Sequence, residues 1–164
     1  MNPNALQSML DERDIERALY AAARAMDDRD WKLLATILAE DAVGDLGTGR
    51  IEGAAAIIDL IRGFLDSCGP TQHLLGNVVV EVTGDTAVSR AYVHDLHLSA
   101  DLTERFYTIG EYRDTWQRRA GRWLIVERIK ANRAYAGSLD AVFRVRPHEQ
   151  SGAVTKALRQ GHSG

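Results

Sequence analysis

The sequence lacks the features that mark several common classes of protein. Its single cysteine, Cys68, excludes a disulfide within the chain, and no paired Cys or His spacing suggests a zinc site, so we predict no metal centre. The net charge is -3 with both signs interspersed, so no basic patch predicts a nucleic-acid partner. No apolar run approaches the roughly 20 residues of a membrane-spanning helix, and the N-terminal residues MNPNALQSMLDERD lack the basic and apolar regions of a signal peptide. We therefore predict a cytoplasmic protein without nucleic-acid or membrane partners.

The composition is that of one globular domain, with 45% hydrophobic and 26% charged residues in 164 residues. Helical periodicity predicts helices over 14–28, 30–41 and 53–69, with a short hairpin or loop between the last two. Alternating patterns then predict four antiparallel strands over 73–83, 86–99, 105–119 and 122–135. A Gly84-Asp85 turn joins the first two strands, and an Ala120-Gly121 turn joins the last two. Helices followed by strands indicate an α+β domain in which a curved sheet packs over helices.

We assign residues 11–135 to this domain. Residues 1–10 are predicted to be a flexible N-terminal segment. Residues 136–164 are predicted to be a C-terminal extension that covers a pocket or contacts a neighbouring subunit, with Phe143 and Val145 as anchors and a mobile tail.

Asp27 is a candidate site residue because of its place on the first helix. With Leu19 at the centre of the buried face, Asp27 lies about 80° away, whereas Asp28 points about 180° away. Asp27 can therefore face the space under the sheet. The alternative is that Asp27 only ends the helix, in a polar link whose Asp30 caps the next one.

The strand over 86–99 carries a second set of candidates. Its odd positions share one face, which is mostly small and ends in Asp95 and His97, as expected for the lining of a cavity. A solvated cross-strand pair is the alternative, and a bulge would bring His94 inward instead. His73, at the start of an aliphatic strand, is either a hydrogen-bonded core residue, a half-exposed strand end or part of a site.

Several short motifs, in this order, resemble the SnoaL-like branch of the NTF2-like superfamily, which includes scytalone dehydratase, bile acid 7α-dehydratase and hexachlorocyclohexane dehydrochlorinase. The resemblance covers about residues 10–135. It rests on Asp27 four residues before Trp31, the segment TQHLLGN with His73, and the series Gly110, Tyr112, Asp114, Gly121 and Trp123.

The resemblance implies a cone-shaped fold with a deep apolar pocket and three catalytic residues. His73 is expected to abstract a proton while Asp27 orients it, and Asp95 contributes as an additional acidic residue, with no metal or cofactor. Asn132 is expected to bind a substrate oxygen. The residues expected to complete the substrate pocket are Tyr20, Met26, Leu75, Val93, His97 and Tyr112. One departure is Ala22, where the bile acid enzyme has a tyrosine; with Ala23 it is expected to open space beside Asp27.

These expectations predict a cofactor-independent lyase or isomerase of dehydratase, dehydrohalogenase or cyclase type that acts on a small hydrophobic molecule. The alternatives are a non-catalytic protein that binds a hydrophobic ligand and a subunit-interaction protein of the same fold. Since Phe106, Trp116 and Trp123 would be costly to expose, and relatives commonly oligomerise, a homo-oligomer is predicted, either a dimer or a trimer.

Overall fold

A computed structural model describes residues 3–143, with their side chains from Ala5 onward. The elements are α1 Pro3–Asp27, α2 Trp31–Ile37, β1 Leu38–Asp45, β2 Arg50–Glu52, α3 Ala54–Leu65, β3 Thr71–Thr83, β4 Thr86–Leu98, β5 Arg105–Arg119, β6 Arg122–Gly137 and α4 Leu139–Phe143. Val145 and the tail of the predicted C-terminal extension lie outside the described residues.

Helix α1 buries the face that its periodicity predicts. Ile15, Leu19, Ala22 and Met26 recur at helical spacing, and all four lie in the hydrophobic core. The helix begins at Pro3, a residue that the first turn of a helix tolerates, so most of the segment predicted to be flexible is helical instead. None of the helices in the described part of the chain is long and apolar enough to cross a membrane.

The second predicted helix extends too far. Asp30 caps α2 as predicted, by accepting a hydrogen bond from the backbone N–H of Leu33, but α2 ends at Ile37. Leu38 adopts an extended conformation and begins β1, which pairs in parallel with β6. The pairing with β6 supplies backbone partners that outweigh the helical propensity of the Leu-Ala-Glu segment, so the sequence periodicity does not reveal this strand.

The six strands form one mixed sheet in the order β2-β1-β6-β5-β4-β3. The four consecutive strands β3 to β6 pair antiparallel, as predicted, and the α+β architecture is confirmed. The register shifts once between β3 and β4 and twice between β5 and β6, where β6 carries Val126 and Arg133 as extra residues. Bulges of this kind bend and twist strands, so the sheet curves over the helices.

The large aromatic residues that suggested an oligomer are buried within the single chain. Phe106, Trp116 and Trp123 are only 3%, 0% and 7% exposed, because they face the helices and not the outer side of the sheet. The argument for an oligomer from these residues was therefore wrong, and the homo-oligomer itself stays a prediction. The outer face of the sheet does expose Leu74, Val79 and Val88, which alternate with buried residues or lie beside a bulge.

The turn between β5 and β6 offers a direct test of the described backbone. Ala120 and Gly121 both have positive φ, 49° and 77°, as a type I′ turn requires. A left-handed conformation costs an alanine about 1–2 kcal/mol, whereas asparagine adopts it more readily. We expect Ala120→Asn to raise the free energy of unfolding by about 0.5–1 kcal/mol in urea titrations. Gly121→Ala should lower it, and a rise in both variants would contradict the assigned turn.

Candidate active site

Asp27 and His73 meet at the point where the end of α1 contacts the start of β3. Asp27 Oδ1 lies 2.6 Å from His73 Nδ1, and Asp27 Oδ2 accepts the backbone N–H of His73 at 3.0 Å. The Thr71 hydroxyl donates to Oδ1 at 3.0 Å. The two side chains are 19% and 5% exposed, for Asp27 and His73 respectively. The helix-end and half-exposed alternatives therefore do not describe this pair.

Asp27 is ionised in this arrangement. Burial alone would raise the pKa of its carboxyl group, but the hydrogen bonds from the side chain and backbone of His73 and from Thr71 hold that pKa below its usual range. An ionised carboxylate can only accept, so the proton between the two residues belongs to His73 Nδ1. The other ring nitrogen, Nε2, then carries a lone pair.

Arg29 holds the ends of three elements together behind this pair. Its φ is +58°, and its guanidinium donates to the carbonyls of Met26, Asp27, Leu65 and Gly69. It also donates to the Thr71 hydroxyl at 2.8 Å, and that hydroxyl in turn bonds Asp27. Because Asp27 is the last residue of α1, where the helix dipole disfavours an anion, the cationic side chain also balances the local charge.

Asp95 and Lys130 form a second ion pair, on β4 and β6. Asp95 Oδ2 accepts hydrogen bonds from the Lys130 ammonium and from the Thr108 hydroxyl, and its side chain is fully buried. Burial would raise the pKa of Asp95, but the charge of Lys130 lowers it to about 2. At neutral pH Asp95 is therefore a hydrogen-bond acceptor and not a proton donor. Its other oxygen, Oδ1, has no hydrogen-bond partner among the described residues.

His97 lies beside His73 in an apolar setting. Its ring is edge-on to that of His73, at 5.4 Å between centroids, and to that of Phe143, at 4.9 Å. Burial, together with the positive charge of neighbouring groups, lowers the pKa of His97 to about 3. The imidazole is thus neutral at pH 7, and its buried Nδ1 has no hydrogen-bond partner within residues 3–143.

His73, His97 and Lys130 border a cavity between the sheet, α3 and α4. The cavity offers about 110 Å³ to the centre of a water-sized sphere. One water needs about 10–15 Å³ by that measure, so there is room for on the order of ten non-hydrogen atoms. Five of the predicted site residues lie on its wall: Met26, His73, His97, Tyr112 and Asn132.

The other predicted site residues lie elsewhere. Asp27 contacts the cavity wall through His73, and Asp95 contacts it through Lys130 and Thr108, but neither lines the cavity itself. Leu75 packs against the core without lining the cavity. Val93 is fully buried in the core. Tyr20 is 43% exposed, because it lies about 100° around α1 from the buried Leu19, so its placement in the pocket was wrong.

Two related expectations are also corrected. Ala22 and Ala23 are core residues that do not line the cavity, so they open no space in it. The odd positions of β4 do face inward as predicted, but no bulge in β4 brings His94 with them. His94 is exposed on the outer face and bonds the Tyr107 hydroxyl at 2.7 Å.

The sequence analysis missed several residues that line the cavity. Lys130, Thr108 and Thr48 supply polar atoms to the cavity. Phe143 of α4, which was predicted as an anchor of the C-terminal extension, covers one side. The inward direction of Lys130 was hidden because the bulge at Val126 interrupts the alternation along β6. Regular alternation from Trp123 and Ile125 would have turned Lys130 outward.

His73, Asp95 and His97 also form the kind of cluster that can hold a metal ion. One ligand atom from each lies within 4.8 Å of the others. The sequence predicted no metal because the spacing of these residues along the chain follows no zinc motif. The Lys130 ammonium bound to Asp95 is unfavourable for a second cation at this place.

The depressed pKa of His97 predicts how stability changes with pH. The unfolded chain protonates His97 near its usual value of 6.5, whereas the folded protein resists protonation down to about 3. The unfolded state therefore binds more protons in this window, and stability falls as pH falls, by up to about 1.4 kcal/mol per pH unit. Urea titrations between pH 7 and 4 should show this slope, and His97→Phe should make it shallower. An unchanged slope in the variant would contradict a neutral His97.

The comparisons identify the family. Residues 7–129 match the SnoaL-like domain, which is more than half of the chain, so the protein belongs to the SnoaL-like family. The curved sheet over N-terminal helices is the NTF2-like cone predicted from the sequence motifs, and that prediction is confirmed. The sequence has no match among curated proteins.

Three solved structures illustrate the similarity. A candidate aromatic ring hydroxylase from Novosphingobium aromaticivorans DSM is 27% identical, with 81% of this chain and 96% of that chain covered and a TM-score of 0.74. A candidate scytalone dehydratase from Novosphingobium aromaticivorans DSM 12444 is 21% identical, with coverage of 93% and 98% and a TM-score of 0.73. A hexachlorocyclohexane dehydrochlorinase from Novosphingobium barchaimii LL02 is 20% identical, with coverage of 87% and 99% and a TM-score of 0.73.

Proposed function

We propose that the protein is a cofactor-independent lyase or isomerase that acts on a small hydrophobic molecule, with His73 as general base. The observation that carries this proposal is the 2.6 Å contact between Asp27 and His73 Nδ1 on the wall of a cavity. The contact fixes the tautomer in which Nε2 is free to take a proton. A base of this kind removes a proton from carbon next to a carbonyl or a leaving group.

The rest of the cavity supplies groups that stabilise negative charge on the substrate. Lys130 presents an ammonium, and Tyr112 presents a phenol whose pKa is raised by burial and by nearby carboxylates, so it stays protonated. Asn132 adds an amide on the same wall. Donors placed where an enolate oxygen develops its charge lower the barrier to proton abstraction. The remaining wall is mostly apolar and includes Phe64 and Phe106, which suits a hydrophobic ring.

Three further observations favour an enzyme over the alternatives. The similar structures include a candidate scytalone dehydratase and a dehydrochlorinase, both named for elimination reactions. A protein that serves only as an interaction subunit needs no open cavity, whereas about 110 Å³ of this one is open. A protein that only binds a ligand would also not require the strained Arg29 and its network behind the His–Asp pair.

Exchange of carbon-bound hydrogen with solvent deuterium tests the proposal without knowledge of the natural substrate. Incubation of a panel of cyclic ketones, such as cyclohexanone and tetralones, in D₂O should show deuterium uptake by NMR above the buffer rate. His73→Ala should return uptake to the rate in buffer. His94→Ala, which changes the exposed histidine of β4, is the matched control and should keep full uptake. No uptake with any ketone, or full uptake in His73→Ala, would contradict the proposal.

A further inference from the structure

The chain continues beyond the described residues from a defined point on the surface. Residues 144–164 follow α4, and the carbonyl of Phe143 accepts a hydrogen bond from the Ser67 hydroxyl at 2.9 Å. The ring of Phe143 also packs edge-on against that of Phe64 on α3, at 5.5 Å between ring centres. The segment 144–164 therefore leaves the domain beside the C-terminal end of α3.

Two depressions lead from this point along the outer side of α3. The first is shallow, and it runs from Ser67 past Gly63 to Asp59. Gly63 is exposed, and a Cβ built on it would meet no atom within 4 Å, so the surface there is open. The second depression begins at Asp59, which borders both, and lies between α2 and the start of α3. We call this second depression the α2–α3 groove.

The α2–α3 groove combines an apolar floor with an acidic border. The apolar side chains that line it are Trp31, Ala35, Leu38, Ala55, Ala56 and Ile58. All three alanines are exposed, and Trp31 is half-buried. Glu40, Glu52 and Asp59 border the groove, together with Lys32. An apolar groove with acidic edges fits an amphipathic segment that carries positive charge.

The segment 144–164 contains an apolar pattern that matches this floor. Three of its apolar residues recur at helical spacing, namely Val154, Ala157 and Leu158. Ser151 stands before this stretch and Gly161 after it, as caps of a helix do, so the pattern predicts a short amphipathic helix over 152–160. A helix of this length is marginal in water unless its apolar face packs against a surface.

The charges of the segment are complementary to its path. Against a single glutamate, the segment carries four basic residues, Arg144, Arg146, Lys156 and Arg159. The first two come directly after α4 and enter the stretch beside Asp66 and Asp59, two carboxylates that share the one guanidinium of Arg62. The other two lie on the far side of the predicted helix, so they contribute only long-range attraction to the acidic groove.

The length of the chain allows this path within one molecule. From Ser67 back to Ala55 is about 18 Å along α3, at 1.5 Å per residue. The eight residues 144–151 span up to about 26–29 Å when extended, so they bring the predicted helix to the groove. A short tether gives an effective concentration in the millimolar range, which favours the groove of the same chain over that of another copy.

We propose that residues 144–164 bind the outer surface of their own molecule, with the helix over 152–160 in the α2–α3 groove. Val154 and Leu158 cover Trp31 and the exposed alanines, and the first two arginines pair with the aspartates of α3. The segment predicted from the sequence to end in a mobile tail is ordered in this arrangement, and it anchors α4 from outside. The arrangement does not depend on the chemistry in the cavity.

Disulfide formation between introduced cysteines tests this placement in the full chain. A Cys68→Ser background removes the single natural thiol and keeps a hydroxyl that can donate to the Leu65 carbonyl, as Cys68 Sγ does at 3.3 Å. Ala55→Cys then places a thiol in the groove, and Leu158→Cys places one on the segment. Under mild oxidation we expect a cross-link within one chain, which runs at the mass of the monomer on a non-reducing gel.

Leu102→Cys paired with Leu158→Cys is the matched control. Leu102 is exposed in the loop after β4, and that loop begins beside Gly69, whose N–H donates to the Leu98 carbonyl at 2.8 Å. A freely moving segment would reach both positions, whereas docking should make the cross-link to Ala55→Cys at least about tenfold faster. Equal rates, no cross-link to Ala55→Cys, or a product at the mass of a dimer would overturn the proposal. A dimer would assign the groove to a second copy.

The fluorescence of Trp31 gives an independent readout. Trp116 and Trp123 are buried in the core, so the part of the emission that Trp31→Phe removes reports on the groove. Leu158→Ser removes the largest apolar contact of the segment, so acrylamide should quench that part about twofold more strongly. Gln160→Ser, on the polar side of the predicted helix, is the control and should leave the quenching unchanged. Equal quenching of Trp31 in the wild-type and Leu158→Ser proteins would refute the docking.

Discussion

Replacing His73 with glutamine is expected to lower kcat/KM for proton abstraction by about 10²–10⁴-fold, the range that a positioned base contributes. Glutamine is similar in length and polar, so it can still bond Asp27, which accepts both the backbone N–H and the ring of His73. It has no lone pair basic enough to take a proton from carbon. The loss should therefore lie mainly in kcat, because contacts with the bound substrate change little.

Asp27→Asn tests the same pair by changing its carboxylate. The asparagine amide donates where the carboxylate accepts, so His73 would carry its proton on Nε2 and could not act as base. We expect kcat/KM to fall by the same order as in His73→Gln. Because the two residues act as a unit, kcat/KM of the double variant should lie within about tenfold of that of either single variant. Steady-state kinetics on a ketone identified by deuterium uptake would measure these values.

Asp28→Asn is the control for this series. Asp28 is the neighbouring residue, it is exposed, and the same change of charge there should leave kcat/KM within about twofold because surface charges are screened by solvent. An equal loss in both asparagine variants would mean that net charge and not the tautomer of His73 matters. Full activity in Asp27→Asn would contradict the role of the pair.

The largest expected effect on stability comes from another buried ion pair, Arg128 with Asp114. Two hydrogen bonds of 2.8 and 2.7 Å join the side chains, which are 5% and 0% exposed for Arg128 and Asp114 respectively, and the guanidinium lies 4.5 Å from the centre of the Tyr112 ring. Arg128→Met leaves the carboxylate buried without a partner. Breaking such a pair typically costs about 3–5 kcal/mol, and we expect a loss of that size in urea titrations.

The double variant Arg128→Met with Asp114→Leu shows whether the cost comes from the unpaired charge. Replacing both members by apolar residues removes the desolvation penalty, so the double variant should be more stable than Arg128→Met alone. Arg113→Met is the surface control. Arg113 pairs with Glu111 but its side chain is 55% exposed, so a change of no more than about 1 kcal/mol is expected. Equal losses of stability in Arg113→Met and Arg128→Met would contradict the claim that burial makes the Arg128–Asp114 pair more costly to break.

The elements that could be predicted are those whose hydrophobic periodicity matches the side that the fold buries. The face of α1 with Leu19 and the alternation of β4 both follow the buried side of the structure, because each element is regular over its whole length. The same regularity placed Asp27, Asp95 and His97 on the inner side. The contact between Asp27 and His73 joins residues 46 positions apart, and its expectation came from the resemblance to a family and not from periodicity.

The missed features depend on tertiary contacts. Strand β1 forms where its backbone can pair with β6, which the composition of residues 38–41 does not indicate. Arg29 looked like part of a polar link, because a single arginine gives no sign that it bonds carbonyls from three elements. Lys130 was missed because a bulge, which has no sequence marker here, resets the alternation of its strand.

The extra residue Val126 has a consequence for the shape of the cavity. Deleting it would leave β6 in unbroken pairing with β5 from Arg122 to Asn132, with Ile125, Arg128 and Lys130 still alternating on the inner face. The wall would thus keep its chemical groups but lose one source of curvature. A protein of this design can therefore change the size of molecule it admits by gaining or losing one strand residue, while the groups that act on that molecule stay the same.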